Sequence, residues 1–362
     1  STQADAPSPP LTGTGTSIVV SVDVMGGDQG SDVVVKGLAK AAQKNPDLRF
    51  LLHGRAEELR PHVVRRKIDA ITTIREARDV VAMGDKPSHV MRHGKGTSMW
   101  SAIDAVRSGE ADVCVSCGNT GALMAVSMVR LRKLPGVNRP AIAVLWPSAG
   151  PQGFNVLLDA GADIRADEAD LMQYALMGVS YARNGLEIER PRVGLLNVGT
   201  EDHKGRAELK VAAEMISDQA QNANFTFVGF VEGGQIASDT VDVIVTDGFT
   251  GNVALKTGEG TASFISRSLK DAFRHTPLSR LAALIAFTSL RRLSKRIDPR
   301  RVNGGVFLGL NGTVVKSHGS ADATSVAAAI KLAYQLSKSG FGERLAARVA
   351  HAGGFAPGEE RP

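Results

Sequence analysis

Two stretches of this 362-residue chain share one plan. Asp112 to Gly121 and Asp242 to Gly251 both read D-V-x-V-[ST]-x-G-x-T-G: a short apolar run, a polar glycine step, then a helix-like segment. Backbone N–H groups at a helix start are unpaired donors at the positive end of the helix dipole, and glycine lets a ligand approach them closely. Gly118-Asn119-Thr120-Gly121 and Gly248-Phe249-Thr250-Gly251 therefore suit two backbone cradles for an anion. Thr120 and Thr250 equally suit plain helix caps. Polar glycine-rich steps also follow other apolar runs, at Asp23 to Asp28 and at Asn197 to Glu201, and together they suggest one polar cleft at a shared sheet edge. Cys114 and Cys117 form a C-x-x-C, half a zinc site at best. With Cys114 inside an apolar run and facing away from Cys117, the pair reads as two reduced thiols. Nucleotide and hydrolase signatures are missing: Met25 to Gly30 lacks the G-x-G-x-x-G spacing, His93 to Ser98 is not a P-loop, and neither H-E-x-x-H nor G-x-S-x-G occurs.

Buried-strand runs recur at 18–24, 49–54, 111–117, 141–147, 154–160, 192–198, 225–231, 242–248 and 305–310. Helix-like stretches at 31–45, 98–109, 120–133, 166–184, 205–220 and 320–338 separate many of them. Alternation of this kind predicts a three-layer α/β/α sandwich with a largely parallel sheet covered on both faces. One catalytic domain is expected over 18–352, with a disordered leader at 1–17 and a disordered tail at 353–362. A hydrophobic fraction of 43% with 22% charged residues is ordinary for a globular protein, and no apolar run is long enough to span a bilayer.

The net charge of +6 is localised. Residues 262–302 hold ten Lys/Arg against two Asp/Glu; the rest carries 33 basic and 35 acidic residues, or −2. Basicity confined to one segment argues against a nucleic-acid partner, which needs a basic docking face with interleaved aromatics.

Blocks running from about Ile18 to about Gly340 resemble a known family. They are DVMGGD, KGTSMWSAIDAVRSGEADVCVSCGNTGALM, RPAIAVLWP, VGLLNVGTEDHKG, FVGFVEG, DVIVTDGFTGNVALKTGEG and HGSAD. In this order they are similar to the bacterial phosphate acyltransferases of phospholipid synthesis (acyl-ACP:phosphate acyltransferases, the PlsX family). The chain departs from that family's usual Ala at Val24 and Cys117, Asn at Asp163 and Pro at Gly30. The resemblance implies transfer of a long fatty acyl group from acyl carrier protein to inorganic phosphate, giving acyl phosphate. It also implies a fold similar to the isocitrate/isopropylmalate dehydrogenases, a homodimer, and neither metal nor organic cofactor.

Such chemistry needs no covalent intermediate, because phosphate is already an oxyanion and a thioester an activated donor. The protein must hold the two in line and stabilise the developing charge. The candidate catalytic residues are His93, Lys95, Asn119 and Lys256. Candidate phosphate and substrate contacts are Gly118, Thr120 and Gly121 in the first turn, Asn197, Gly199, Thr200 and Lys204, and Asp247, Thr250, Gly251 and Asn252 in the second. Lysines beside glycine turns can pair with phosphate, although solvated surface lysines look the same. His203 and His318 are further proton-relay candidates. Asp23, Asp28, Glu201 and Asp247 read as groups that orient lysines or cap turns.

Between Arg280 and Arg296, seven consecutive apolar residues are bracketed by arginines. A helix with Leu284, Ile285 and Phe287 exposed and Arg291 and Arg292 at its edge can lie on an anionic membrane or touch an acyl chain. A helix in a dimer core, or a landing site for the acidic carrier protein, would fit the same residues. The expected location is cytoplasmic, at the inner face of the cell membrane. An acetyl-phosphate-forming transferase, a decarboxylating dehydrogenase on a similar fold, and a non-enzymatic lipid-binding regulator are the alternatives. The dehydrogenase would need clustered metal-binding aspartates, and the sequence lacks that cluster.

Overall fold

The computed structural model describes residues 17–201, 203–297 and 305–352. The leader and tail expected at the two ends lie outside these, Ser17 excepted.

The chain opens with β1 (Ile18–Asp23), α1 (Ser31–Ala42), β2 (Leu48–Gly54), α2 (Ala56–Arg65) and β3 (Thr72–Glu76). Next come α3 (Pro87–His93), α4 (Ser98–Arg107), β4 (Val113–Ser116), α5 (Thr120–Arg130), β5 (Ala141–Pro147) and β6 (Phe154–Leu158). The second half holds α6 (Glu168–Leu186), β7 (Arg192–Leu196), α7 (Ala207–Gln219), β8 (Thr226–Val231), β9 (Val243–Val245) and α8 (Gly248–Arg274). It ends with α9 (Pro277–Ile285), α10 (Phe287–Ile297), β10 (Gly305–Leu308), β11 (Thr313–Lys316), α11 (Ala323–Lys338) and α12 (Phe341–Ala352). Each run expected as a strand contains one. β3 and β11 are additional; both are short, and in both Thr with Arg or Lys interrupts the apolar run (TTIRE and TVVK).

All strands join one 11-stranded sheet in the order β3-β2-β1-β4-β11-β10-β5-β6-β9-β7-β8. Side chains alternate between two cores, as the pleat requires. Val113 and Val115 face one core, with α1, α6, α11 and α12; Cys114 faces the other, under α4 and α5 with Met99, Ile103, Leu123 and Phe307. This is the three-layer α/β/α arrangement expected, and Cys114 does point away from Cys117, which lies in the first core. Helix ends are set by local chemistry. Asp167 and Asp170 form a reciprocal capping box at α6, Thr97 caps α4 and Asp322 caps α11.

The sheet corrects one expectation. Three pairings are antiparallel, β11–β10, β10–β5 and β5–β6, so the strands on either side of this centre run in opposite directions. β1 and β4 end at one edge and β7 and β9 at the other. The four polar glycine turns therefore do not share an edge.

Candidate active site

The first turn rests on a buried carboxyl. Asp23, at the end of β1, accepts hydrogen bonds from the Ser98 hydroxyl at 2.6 Å and the Ser116 hydroxyl at 2.7 Å. Ser116 Oγ in turn accepts from the Gly118 N–H at 3.0 Å. Burial pushes the Asp23 carboxyl above its usual range, against the pull of these hydroxyls. The two turns meet backbone to backbone: a Cβ on Gly26 would lie 2.6 Å from Asp23 Oδ2 and 3.0 Å from Gly118 Cα. Asn119 is then spent on structure. Its Oδ1 accepts from the Ala122 N–H at 3.0 Å, capping α5, while its amide donates to the Met83 and Asp85 carbonyls at 2.9 and 3.0 Å. The N–H groups of Thr120 and Gly121 have no hydrogen-bond partner among the described residues, and both residues are exposed. The helix start is open to a ligand.

It opens into a cleft of about 740 Å³ between α5 and α8, floored by β5 and β10. Two lysines and a histidine line it, Lys256, Lys316 and His318, with Asp28 and Glu259 among them. Lys316 closes β11, in register with Ser116. Burial lowers its pKa to about 8, and its ammonium donates to the Ser317 carbonyl. Lys256 pairs with Glu259 at 2.9 Å. Burial holds the His318 imidazole below its usual pKa, and Ser320 Oγ lies 3.1 Å from its Nδ1. On the far wall, the loop Ala160 to Asp163 is folded around buried Asp159. That carboxylate accepts from the N–H groups of Ile142, Gly161, Ala162 and Asp163 at 2.9 to 3.1 Å. The Asp163 carboxylate pairs with Arg139.

The second turn matches the first in sequence and differs in use. Asp247 caps α8, accepting from the Thr250 N–H at 2.9 Å and from its hydroxyl at 3.0 and 2.9 Å. Phe249 N–H donates to the Ile164 carbonyl at 3.3 Å. Gly248 and Gly251 are packed on the Asp159 to Asp163 backbone with no room for a Cβ. Here a carboxylate occupies the place an anion would take. Of this turn only Asn252 reaches the cleft, its amide 3.3 Å from the Ala160 carbonyl.

Gly118, Asn119, Thr120, Gly121, Asn252 and Lys256 are thus brought together. Asn197, Gly199, Thr200 and Lys204 are not. Asn197 holds its own loop through the Val198 N–H and the Lys204 carbonyl, Lys204 pairs with Glu201, and Arg206 bridges to Asp247 at 2.8 Å. His93 and Lys95 are exposed outside the cleft lining, His93 lying 4.8 Å, ring to ring, from His89. Lys316 was missed, although Val314-Val315-Lys316-Ser317-His318-Gly319 repeats the pattern of an apolar run entering a polar glycine turn. Cys117 is 3% exposed, and burial raises its thiol to about 11.

The basic segment also differs from expectation. It spans the end of α8, then α9 and α10, broken at Ala286, with 298–302 outside the described residues. Leu284 is 72%, Ile285 80% and Phe287 57% exposed, and Arg291 and Arg292 are exposed beside them. Among the described residues no helix is long and apolar enough to cross a membrane.

A family model described as "Fatty acid synthesis protein" matches residues 18–344. A Ruegeria sp. (strain TM1040) protein named "Phosphate acyltransferase" is 71% identical over 335 residues, 92% of this chain and 89% of that one. A protein of the same name from Dinoroseobacter shibae is 72% identical over 339 residues, 93% of this chain and 88% of that one. Among solved structures, a phosphotransacetylase from Streptococcus pyogenes aligns with TM-score 0.58 at 16% identity, covering 90% of this chain and 95% of that chain. EutD phosphotransacetylase from Staphylococcus aureus aligns with TM-score 0.55 at 12% identity, with the same coverage of 90% and 95%. At these identities the likeness is one of fold. With a family match over most of the sequence and relatives at about 70% identity, the chain belongs to the phosphate acyltransferases, and the protein is an acyltransferase.

Proposed function

We propose that this acyltransferase moves a long-chain fatty acyl group from the thioester of acyl carrier protein to inorganic phosphate. An oxygen of hydrogen phosphate attacks the thioester carbonyl carbon; the C–O bond forms, the C–S bond breaks, and the carrier thiolate leaves and takes up, through solvent, the proton that the phosphate gives up. The products are acyl phosphate, for glycerophospholipid synthesis, and free carrier thiol. The observation that carries this reading is the open start of α5, facing Lys316 and Lys256 across one cleft. Thr120 and Gly121 N–H groups and the Thr120 hydroxyl hold phosphate, with the lysines offsetting its charge. The buried, poorly ionised Cys117 thiol supports direct attack over an acyl-enzyme.

The apolar, arginine-edged faces of α9 and α10 support peripheral contact with anionic lipid at the inner face of the membrane. α8 has 27 residues, of which only Gly248 and Gly251 are buried, and this supports packing of the helix against a second copy of the chain. Incubation with palmitoyl acyl carrier protein and phosphate tests the reaction. Carrier thiol and acyl phosphate, separated from the remaining carrier thioester before it is quantified, should appear in equal amounts. Thiol released with free fatty acid alone, or at a rate independent of phosphate, would defeat the proposal.

A further inference from the structure

The cleft has a second character beside its anion-binding end. On α5, Thr120 and Gly121 of the open first turn are followed on the same face by Met124 and Met128, each one helical turn further on. On β5, Ile142 and Val144 point to that side of the sheet, and Leu255 of α8 closes the opposite wall. Five apolar side chains thus form a trough that starts at the open helix start and runs along α5. Met128 is 40% exposed. The groove on the arm formed by the end of α8, α9 and α10, lined by Leu284, Phe287 and Leu293 among others, shares no residue with this trough.

We infer that the acyl chain of the donor lies in this trough during transfer, between Met124, Met128, Ile142, Val144 and Leu255, and that Met128 and Val144 govern chain length. The inference rests on the reaction proposed above. An acyl carbon within reach of phosphate at Thr120 and Lys316 leaves its alkyl chain one continuous apolar path, along α5. The alternative directions meet Asp28, Lys256, Glu259 and His318, which are polar or charged. Unbranched, polarisable methionines at the wall adapt to chains of different length and conformation. The arm is then left for lipid or for the second subunit.

Burial of each methylene contributes about 0.8 kcal/mol, so kcat/KM should rise roughly fourfold per added CH₂ until the chain outruns the trough. The deciding comparison uses Met128→Trp and Val144→Phe, which fill the trough, with Val129→Trp on the neighbouring exposed face as control. Each is measured in turnover of palmitoyl- and butyryl-pantetheine thioesters and in equilibrium binding of the matching unreactive thioether analogues. Filling the trough should lower the palmitoyl-to-butyryl ratio at least tenfold in both measurements, with the control ratio unchanged. A ratio unchanged in the trough variants, or lowered equally by the control, overturns the inference. Wild-type protein that makes no acyl phosphate, yet binds the analogues with a ratio that Met128→Trp lowers, would refute the proposed reaction and leave the trough standing.

Discussion

Lys316 stands where burial and charge oppose each other. The groups facing it are Asp23 at the end of β1, Asp28 in the next turn, Cys117 below the first turn and Lys256 across the cleft. Burial outweighs the acidic neighbours and brings its pKa from 10.5 down to about 8. In the unliganded enzyme the ammonium is therefore charged below about 8 and neutral above it. If its charge holds phosphate, kcat/KM for phosphate should fall as pH rises through that value, since this ratio reports the free enzyme. Lys316→Arg, charged throughout, should remove the falling limb; a limb of the same midpoint in that variant would assign it to another group. The stability effect has the opposite sense. The unfolded chain holds the proton up to about 10.5, so stability from this residue rises between pH 8 and 10.5. Asn119 and Thr120 separate structure from binding in the same turn. Asn119→Ala removes the cap and two carbonyl contacts and should cost about 1–2 kcal/mol of stability. Thr120→Ala removes one exposed hydroxyl; it should leave the melting temperature in place and raise the phosphate KM roughly tenfold. Thr120→Ala kinetics equal to wild type would move the phosphate elsewhere.

Among the elements, the two Thr-Gly turns show how one local pattern takes two roles. The residue three before Thr is Cys117 in the first turn and Asp247 in the second. Asp247 reaches the helix donors and closes them; Cys117 turns into the core, and Asn119 caps two positions further along, leaving Thr120 and Gly121 N–H open. That one difference was legible in the sequence as a carboxylate beside a supposed anion cradle. The arm was legible as a basic, apolar segment but not as two helices, because Ala286 carries no breaker signal. Exchanging Leu284, Ile285 and Phe287 for Gln should release the protein from phosphatidylglycerol vesicles in a flotation assay, with palmitoyl transfer from soluble carrier retained. Loss of a wild-type dimer in that variant, with vesicle binding intact, would instead place these side chains against the second copy.

Across the whole molecule, the polarity reversal at β10 and β5 decides where the site forms. The first turn sits at one edge of the sheet and α8 starts at the other, yet α8 runs back over the face so that Asn252, Leu255 and Lys256 meet α5 across the floor. The site is a cleft between two helices over the sheet, fed from both edges. Sequence by itself determined nine of the eleven described strands, about half of the helices, the two-sided core and the first turn, because those signals are local: apolar runs, glycine steps and caps act within a few residues. Family membership was equally legible, since it rests on the same ordered blocks. Tertiary structure alone decided strand direction, which of two like turns stays open, and the recruitment of Lys316 in place of Lys95 and Lys204. Each of these depends on residues far apart in the chain. Direction is set by which strands pair, an open N–H by what packs against it, and a lysine's charge by how deeply its neighbours bury it.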